Sequence, residues 1–370
     1  MGIYTIYDNT EIDNQIDFFL NVIIEKIFTV INPNEIKSIV LCGGFGRGEG
    51  SVFFNNEQVQ PINDFDITIF PRKNLNIFKL RYSEQLESVA QELVNIIPIK
   101  QIDLGIGDQR KFIIRTLRPF FTINAFEFIH GHRVLFGKSN IHNLKYFYKS
   151  HKIPIAEGVK YLYTRGSGLL IPLLDTYQNS SLINNLNTYI EINKARLAIG
   201  DSYLIRYRKY HFSYQKRIEI AKKINFNQLE NGNTFKQMYL NALEWKLTPT
   251  SISEINLEIE LKSTIEHFLN YALWYESERI KKYFHSTNEY IRYKLDISNH
   301  SKSERKLYDL SKGLYLLSIF FNENNYSDSL NEKLFSIHKN DPIKHNLEYL
   351  TKKYLKEFHP GGIVKQLITS

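Results

Sequence analysis

Only one cysteine, two methionines and two tryptophans occur in these 370 residues. A single thiol, Cys42, excludes an internal disulfide and any cysteine-rich zinc site, and its place at the end of an apolar run marks it as a small buried hydrophobe. Long apolar runs are also missing, since none reaches the roughly 18 residues that a membrane span needs. The opening residues, MGIYTIYDNTEIDN, carry acids early and no basic stretch leading into an apolar one. No signal peptide is expected from them, and a cytoplasmic location follows. There is no repeat of fixed period, no sustained heptad and no low-complexity tract.

What is present describes a folded chain. Hydrophobic residues at 43% allow more than one core, and aromatic residues at 14% argue against disorder. The net charge of +8 suits an anionic ligand, from a nucleoside triphosphate to RNA, without choosing between them. The plain reading of most of these cations is a lysine-rich surface.

From Asp13 to Val30 the residues Ile16, Phe19, Leu20, Ile23, Ile24 and Ile27 recur at helical spacing. A strand over Ser38–Cys42 then runs into the glycine-rich stretch LCGGFGRGEG at 41–50. DFDITIF follows a polar interval and alternates Phe65, Ile67 and Ile69 against Asp64, Asp66 and Thr68. Residues 78–96 predict a helix, QIDLGIGD a third strand, and TINAFEFIHGHRVLFG a fourth strand with a turn at HGHR. Beyond about residue 150 the pattern becomes helical, over 155–175, 182–208, 213–224, 234–246, 255–294, 303–322 and 343–357. The tail HPGGIVKQLITS follows a Pro-Gly-Gly break and reads as loosely held. The expected organisation is an α/β domain over 1–148 and an all-α domain over 149–370, with the acceptor and nucleotide cleft between them.

Strand, glycine turn, helix start and an Asp-x-Asp strand would together face a triphosphate if the two strands were neighbours. Gly43 and Gly44 permit close backbone approach, so that amides at the following helix start can donate to phosphate oxygens. Asp64 and Asp66, two apart on a strand, put both carboxylates on one face, where hard oxygen ligands can share Mg²⁺. Asp103 lies between Ile102 and Leu104 on a later strand and is placed to complete a two-metal site.

GGFGRGEG, then PINDFDITIF, then QIDLG resembles the nucleotidyltransferase superfamily, whose fold is shared by antibiotic nucleotidyltransferases, poly(A) polymerases and oligonucleotide cyclases. The resemblance covers roughly residues 36–135 and rests on three elements in the right order. It implies a mixed sheet with flanking helices, followed by a helical domain as in the antibiotic and minimal enzymes. It implies two Mg²⁺ ions, with Mn²⁺ as a substitute, held by Asp64, Asp66 and Asp103, and transfer of a nucleoside monophosphate from ATP or another triphosphate to a hydroxyl. By the same resemblance Asp103 helps to deprotonate the acceptor, and Arg47 braces the β- or γ-phosphate. The expected acceptor is a small molecule; RNA-directed or cyclising chemistry and a non-catalytic nucleotide-binding scaffold are the alternatives. The interval between Gly44 and Asp64 is longer than usual in the family, and VFFNNEQVQP reads as an inserted loop or hairpin.

Other residues carry weaker signals. Glu127, taken as a strand residue alternating with Ala125 and Ile129, either points toward the aspartates or is an exposed acid. Glu49 either orients Arg47 or receives a backbone donor. His130 and His132 read as turn decoration. Lys194 and Asp201 lie seven apart on one helix face, where Lys194 either closes on a triphosphate or joins a surface salt-bridge face. Arg165 and the cations of KYHFSYQKR at 209–217 read first as solvated or packing residues.

Overall fold

The computed structural model describes residues 2–55, 58–62, 64–118, 121–179, 186–297, 302–322, 327–335 and 346–358. The chain is mixed α/β and mainly helical, with a small mixed sheet. It divides into two compact units. One is Met1–Pro154 with Arg208–Lys223 and Leu243–Thr250; the other is Ile155–Tyr207, Ile224–Ala242 and Ser251–Ser370.

The first unit opens with α1 (Thr10–Val30), capped by the Asn9 side chain, which accepts from the amides of Glu11 and Ile12. Ile16, Ile23 and Ile27 are fully buried on its inner face. β1 (Ile36–Leu41) leads into the five-residue helix α2 (Gly43–Arg47). The long interval after it is a hairpin of β2 (Val52–Asn55) and β3 (Gln58–Pro61). Then come β4 (Phe65–Pro71), α3 (Leu75–Leu93), β5 (Ile102–Ile106), α4 (Gln109–Thr116), α5 (Ile123–His130) and β6 (Arg133–Gly137).

Four strands form one sheet in the order β5-β4-β1-β6, with β1 antiparallel to both of its neighbours and β4 parallel to β5. Alternation along β4 buries Phe65, Ile67 and Ile69 in a core shared with α1 and α3. The opposite sheet face is thereby left to Asp66 and Thr68.

Two sequence expectations are corrected. TINAFEFIHGHRVLFG is a helix and a strand: Thr122 caps α5 by accepting from the Ala125 amide, Gly131 ends it, and only β6 joins the sheet. Ile123, Phe126 and Ile129 lie three apart and are buried, which is helical periodicity. The span 255–294 is two helices, because Lys281 turns left-handed (φ 62°) after α11. His130 and His132 also differ from turn decoration. Each offers Nδ1 to a carbonyl four residues back, Phe126 at 3.0 Å and Phe128 at 2.9 Å, and His132 is buried.

The second unit holds α6 (Ile155–Gly166), α7 (Leu170–Asn179), α8 (Leu186–Arg206), most of α10 (Gly232–Leu247), α11 (Leu257–Ile280), α12 (Thr287–Ile297), α13 (Lys302–Phe321), α14 (Asp328–Phe335) and α15 (Leu347–Phe358). α9 (Tyr214–Lys223) belongs to the first unit. Between Ile192 and Ile205 every residue of α8 except Lys194 is buried, as expected of a helix surrounded by others. Gly200 gives the Tyr239 ring its place, since a Cβ there would lie 2.0 Å from the ring. The tail from His359 onward lies outside the described residues.

Candidate metal centre

The parallel register sets Asp66 on β4 beside Asp103 on β5. Asp64 immediately precedes β4, two residues before Asp66, so strand alternation turns both to the same side. One carboxylate oxygen from each of Asp64, Asp66 and Asp103 lies within 4.8 Å of the other two. Among the described residues this is the one cluster of three or more acids, histidines or cysteines close enough to share a metal ion.

The glycine bend abuts these acids. Gly43 has φ +64°, a left-handed conformation that favours glycine, and a Cβ on it would fall 2.2 Å from Asp66 Oδ2. Only hydrogen at that position leaves the carboxylate its place. The Cys42 amide donates to the Asp66 carbonyl (2.7 Å), fixing the end of β1 to the strand that carries the acid. A Cβ on Gly44 would meet the Glu49 carbonyl at 3.0 Å, so this residue too is tightly enclosed.

Partial desolvation pushes the Asp103 carboxyl up; the Gln101 amide, donating to Oδ1 at 2.7 Å, opposes this, and the Asp64 charge reinforces it. The three hard oxygen donors could hold a metal ion. The one thiol does not compete, because burial pushes Cys42 well above the usual range for a thiol.

Arg47 is corrected from the phosphate-facing role. Its side chain is 4% exposed, with Nη1 3.5 Å from Glu127 Oε2, Nε 3.7 Å from Glu49 Oε2, and the Tyr214 ring under the guanidinium at 4.8 Å. Glu127, carried on helix α5 rather than a strand, turns to Arg47 and to Arg217. Burial alone would raise its carboxyl, but the two guanidiniums and the Tyr210 hydroxyl (2.5 Å) bring it down to about 2.

Glu49 receives backbone donors, one of the two roles expected of it. Its carboxylate accepts from the amides of Tyr214 (2.9 Å) and Gln215 (3.1 Å) and from the Ser213 hydroxyl (2.7 Å), capping α9 from outside. Arg217 of that helix is fully buried, so KYHFSYQKR ends in a packing residue. No local pattern marks Arg217, whose partner Glu127 is 90 residues distant in sequence.

Lys194 lies on α8 of the second unit, its ammonium on Glu191 (2.7 Å). Asp201 on the same helix is fully buried and accepts from the Tyr239 hydroxyl (2.6 Å), so these two do not form one surface salt-bridge face. Arg165 lies over the Tyr161 ring.

No protein-family model, curated protein or solved structure matches this chain.

Proposed function

We propose that the protein is a Mg²⁺-dependent nucleotidyltransferase that moves a nucleoside monophosphate from a triphosphate, ATP among them, to an acceptor hydroxyl. The observation that carries this reading is the convergence of Asp64, Asp66 and Asp103 beside the Gly43 bend. The mixed sheet, with its acids on neighbouring parallel strands, is consistent with the nucleotidyltransferase fold.

Three carboxylates this close repel one another, and a divalent cation relieves that repulsion. Asp64, Asp66 and Asp103 would hold it. A divalent cation held there would supply charge neutralisation of the phosphate oxygens and polarisation of the α-phosphate. Amides at the turn that follows the Gly43 bend would donate to phosphate oxygens held beside the acids.

The acceptor oxygen forms a bond to the α-phosphorus, the bond from that phosphorus to pyrophosphate breaks, and pyrophosphate leaves with the electron pair. The acceptor proton passes to the Asp103 carboxylate as the new bond forms. Asp64 and Asp66 keep the triphosphate oriented for in-line displacement.

Incubation with radiolabelled triphosphates, Mg²⁺ and a panel of hydroxyl acceptors tests the reading. Pyrophosphate release that Asp64→Asn and Asp66→Asn abolish is expected. Release unaffected by both substitutions, or none with any triphosphate and acceptor, would overturn it.

A further inference from the structure

Between Gln109 and Ala156 the sequence has nine lysines and arginines but one acid, Glu127, and that acid is engaged by Arg47 and Arg217. This stretch alone therefore carries a surplus equal to the +8 of the whole chain, and the remainder is balanced. Much of the surplus gathers on one face of the first unit. α4 packs on the short turn Ile141–Tyr146, and the Tyr148 hydroxyl just beyond it donates to the Phe112 carbonyl at 2.7 Å.

The face has two distinct flanks. Lys111, Arg115 and Arg118 follow one another at four and three residues, a single stripe at helical spacing, and among the described residues none of them pairs with a carboxylate. Ile113, Ile114 and Leu117 take the other exposed flank at 56%, 56% and 85% exposure, one turn on from Arg110, whose guanidinium is paired with Asp108 at 3.1 Å. The adjoining turn adds Tyr146 and Phe147, 77% and 50% exposed, with the Lys149 ammonium 4.9 Å from the Tyr146 ring centre.

We propose that this face binds a single-stranded polynucleotide. Such a strand has one charged edge and one apolar edge: its phosphates match the cationic stripe, and its unstacked bases cover the aliphatic flank and stack on Tyr146 and Phe147. A bilayer would call for cations on both sides of the apolar stripe, whereas here one side of α4 is taken by Phe112, stacked on Phe128 in the interior. Binding at this face does not depend on the transfer reaction. Where the proposed reaction holds, the polynucleotide's own hydroxyl becomes its acceptor, and β5 links the two, carrying Asp103 near its start and leading into α4.

The test is fluorescence anisotropy of a labelled 15-nucleotide single strand, as RNA and as DNA, with the full chain carrying Asp64→Asn and Asp66→Asn in EDTA without triphosphate. Failure of the transfer chemistry therefore cannot be confused with failure to bind. Added to that protein, Lys111→Glu, Arg115→Glu and Arg118→Glu together are expected to weaken binding at least 30-fold and to flatten the salt dependence by about two in the log–log slope. Tyr146→Ala with Phe147→Ala is expected to cost about tenfold with the slope unchanged. Lys79→Glu on α3 with Lys73→Glu just before it, a control for total charge, should stay within about threefold. The triple glutamine variant repeats the test should charge reversal lower the melting temperature. Tight binding of either strand supports the proposal. Salt-insensitive or absent binding, losses equal to the α3 control, tighter binding of duplex, or preference for vesicles with 30% anionic lipid would overturn it.

Discussion

Asp64, Asp66 and Asp103 bring three charges of one sign together where solvent reaches them, whereas Arg47, Glu49, Glu127 and Arg217 bury two of each sign along the same glycine bend. The buried set is answered from within the protein, each carboxylate by a guanidinium and by hydrogen bonds from the chain. The aspartates collect like charge and, among the described residues, neither Asp64 nor Asp103 has an arginine or lysine partner. A group whose charge is met by the protein is placed for folding; one whose charge is left to an outside cation is placed for chemistry. Gly43–Arg47 touches both, with Gly43 against Asp66 and Arg47 in the buried set.

That contrast breaks if the two groups respond alike to substitution. Arg217→Ala is expected to be the most damaging change: it leaves Glu127 with Arg47 and Tyr210 alone beside a cavity and removes a cation at zero exposure, at a cost of about 3–5 kcal/mol. Thermal and urea unfolding of the purified chain would show it, and a loss below about 1 kcal/mol would remove the structural role given to the cluster. Asp66→Asn should do the reverse. Its effect on stability without metal is expected to stay within about 1 kcal/mol, while the rise in melting temperature on adding millimolar Mn²⁺ disappears. An undiminished rise would place the ion elsewhere.

Glu49→Ala separates the two further. Three hydrogen bonds at the start of α9 are lost, so about 1–3 kcal/mol of stability should go, with Mn²⁺ affinity changed far less than by Asp66→Asn. Equal losses of metal affinity would mean that the cluster also belongs to the site.

Acid sharpens the same contrast. Glu127 is held down at about 2 against an ordinary 4.5, so its contribution is complete above about pH 4.5 and is lost as pH falls through about 2. His132, kept neutral chiefly by burial down to about 4, contributes in the same direction between about pH 6.5 and 4. The melting temperature of the native chain should therefore fall in two overlapping steps as pH drops. His132→Phe should flatten the upper step and leave the lower.

The aspartates and the cluster were not equally legible in the sequence. Asp64 and Asp66 announced themselves because period-two alternation is local, and β4 follows it residue by residue. Asp103 needed only one further strand, and the register then set it beside Asp66. Arg47 is not legible in the same way, because a cation next to glycines fits a phosphate site or an ion pair equally well and its partner Glu127 reads as a strand residue. The signs of helix there were present, Thr122 as cap and Gly131 as stop, but Ala125, Glu127 and Ile129 also alternate. Arg217 left no trace at all, since burial of a charge depends on partners that only the tertiary fold brings near.

The smallest expected effect is also the one whose sign is least intuitive. Partial desolvation and the charge of Asp64 raise the Asp103 carboxyl above its ordinary value, so the metal-free folded state binds that proton more tightly than the unfolded chain does. Its contribution to stability is therefore full at low pH and is lost as pH rises through the raised value. Above that raised value Asp103 is ionised beside Asp64, at a cost that Asp103→Asn removes. In EDTA that variant should melt slightly higher than the native chain, and the gap should narrow as pH falls. With Mn²⁺ the order should invert, because the native chain gains an ion that the amide holds poorly. Repeating the pair of scans in EDTA and in Mn²⁺ reads both signs from one substitution. An Asp103→Asn protein less stable than the native chain in EDTA would mean that the carboxylate is satisfied by the protein, which would move it from the chemical group to the structural one.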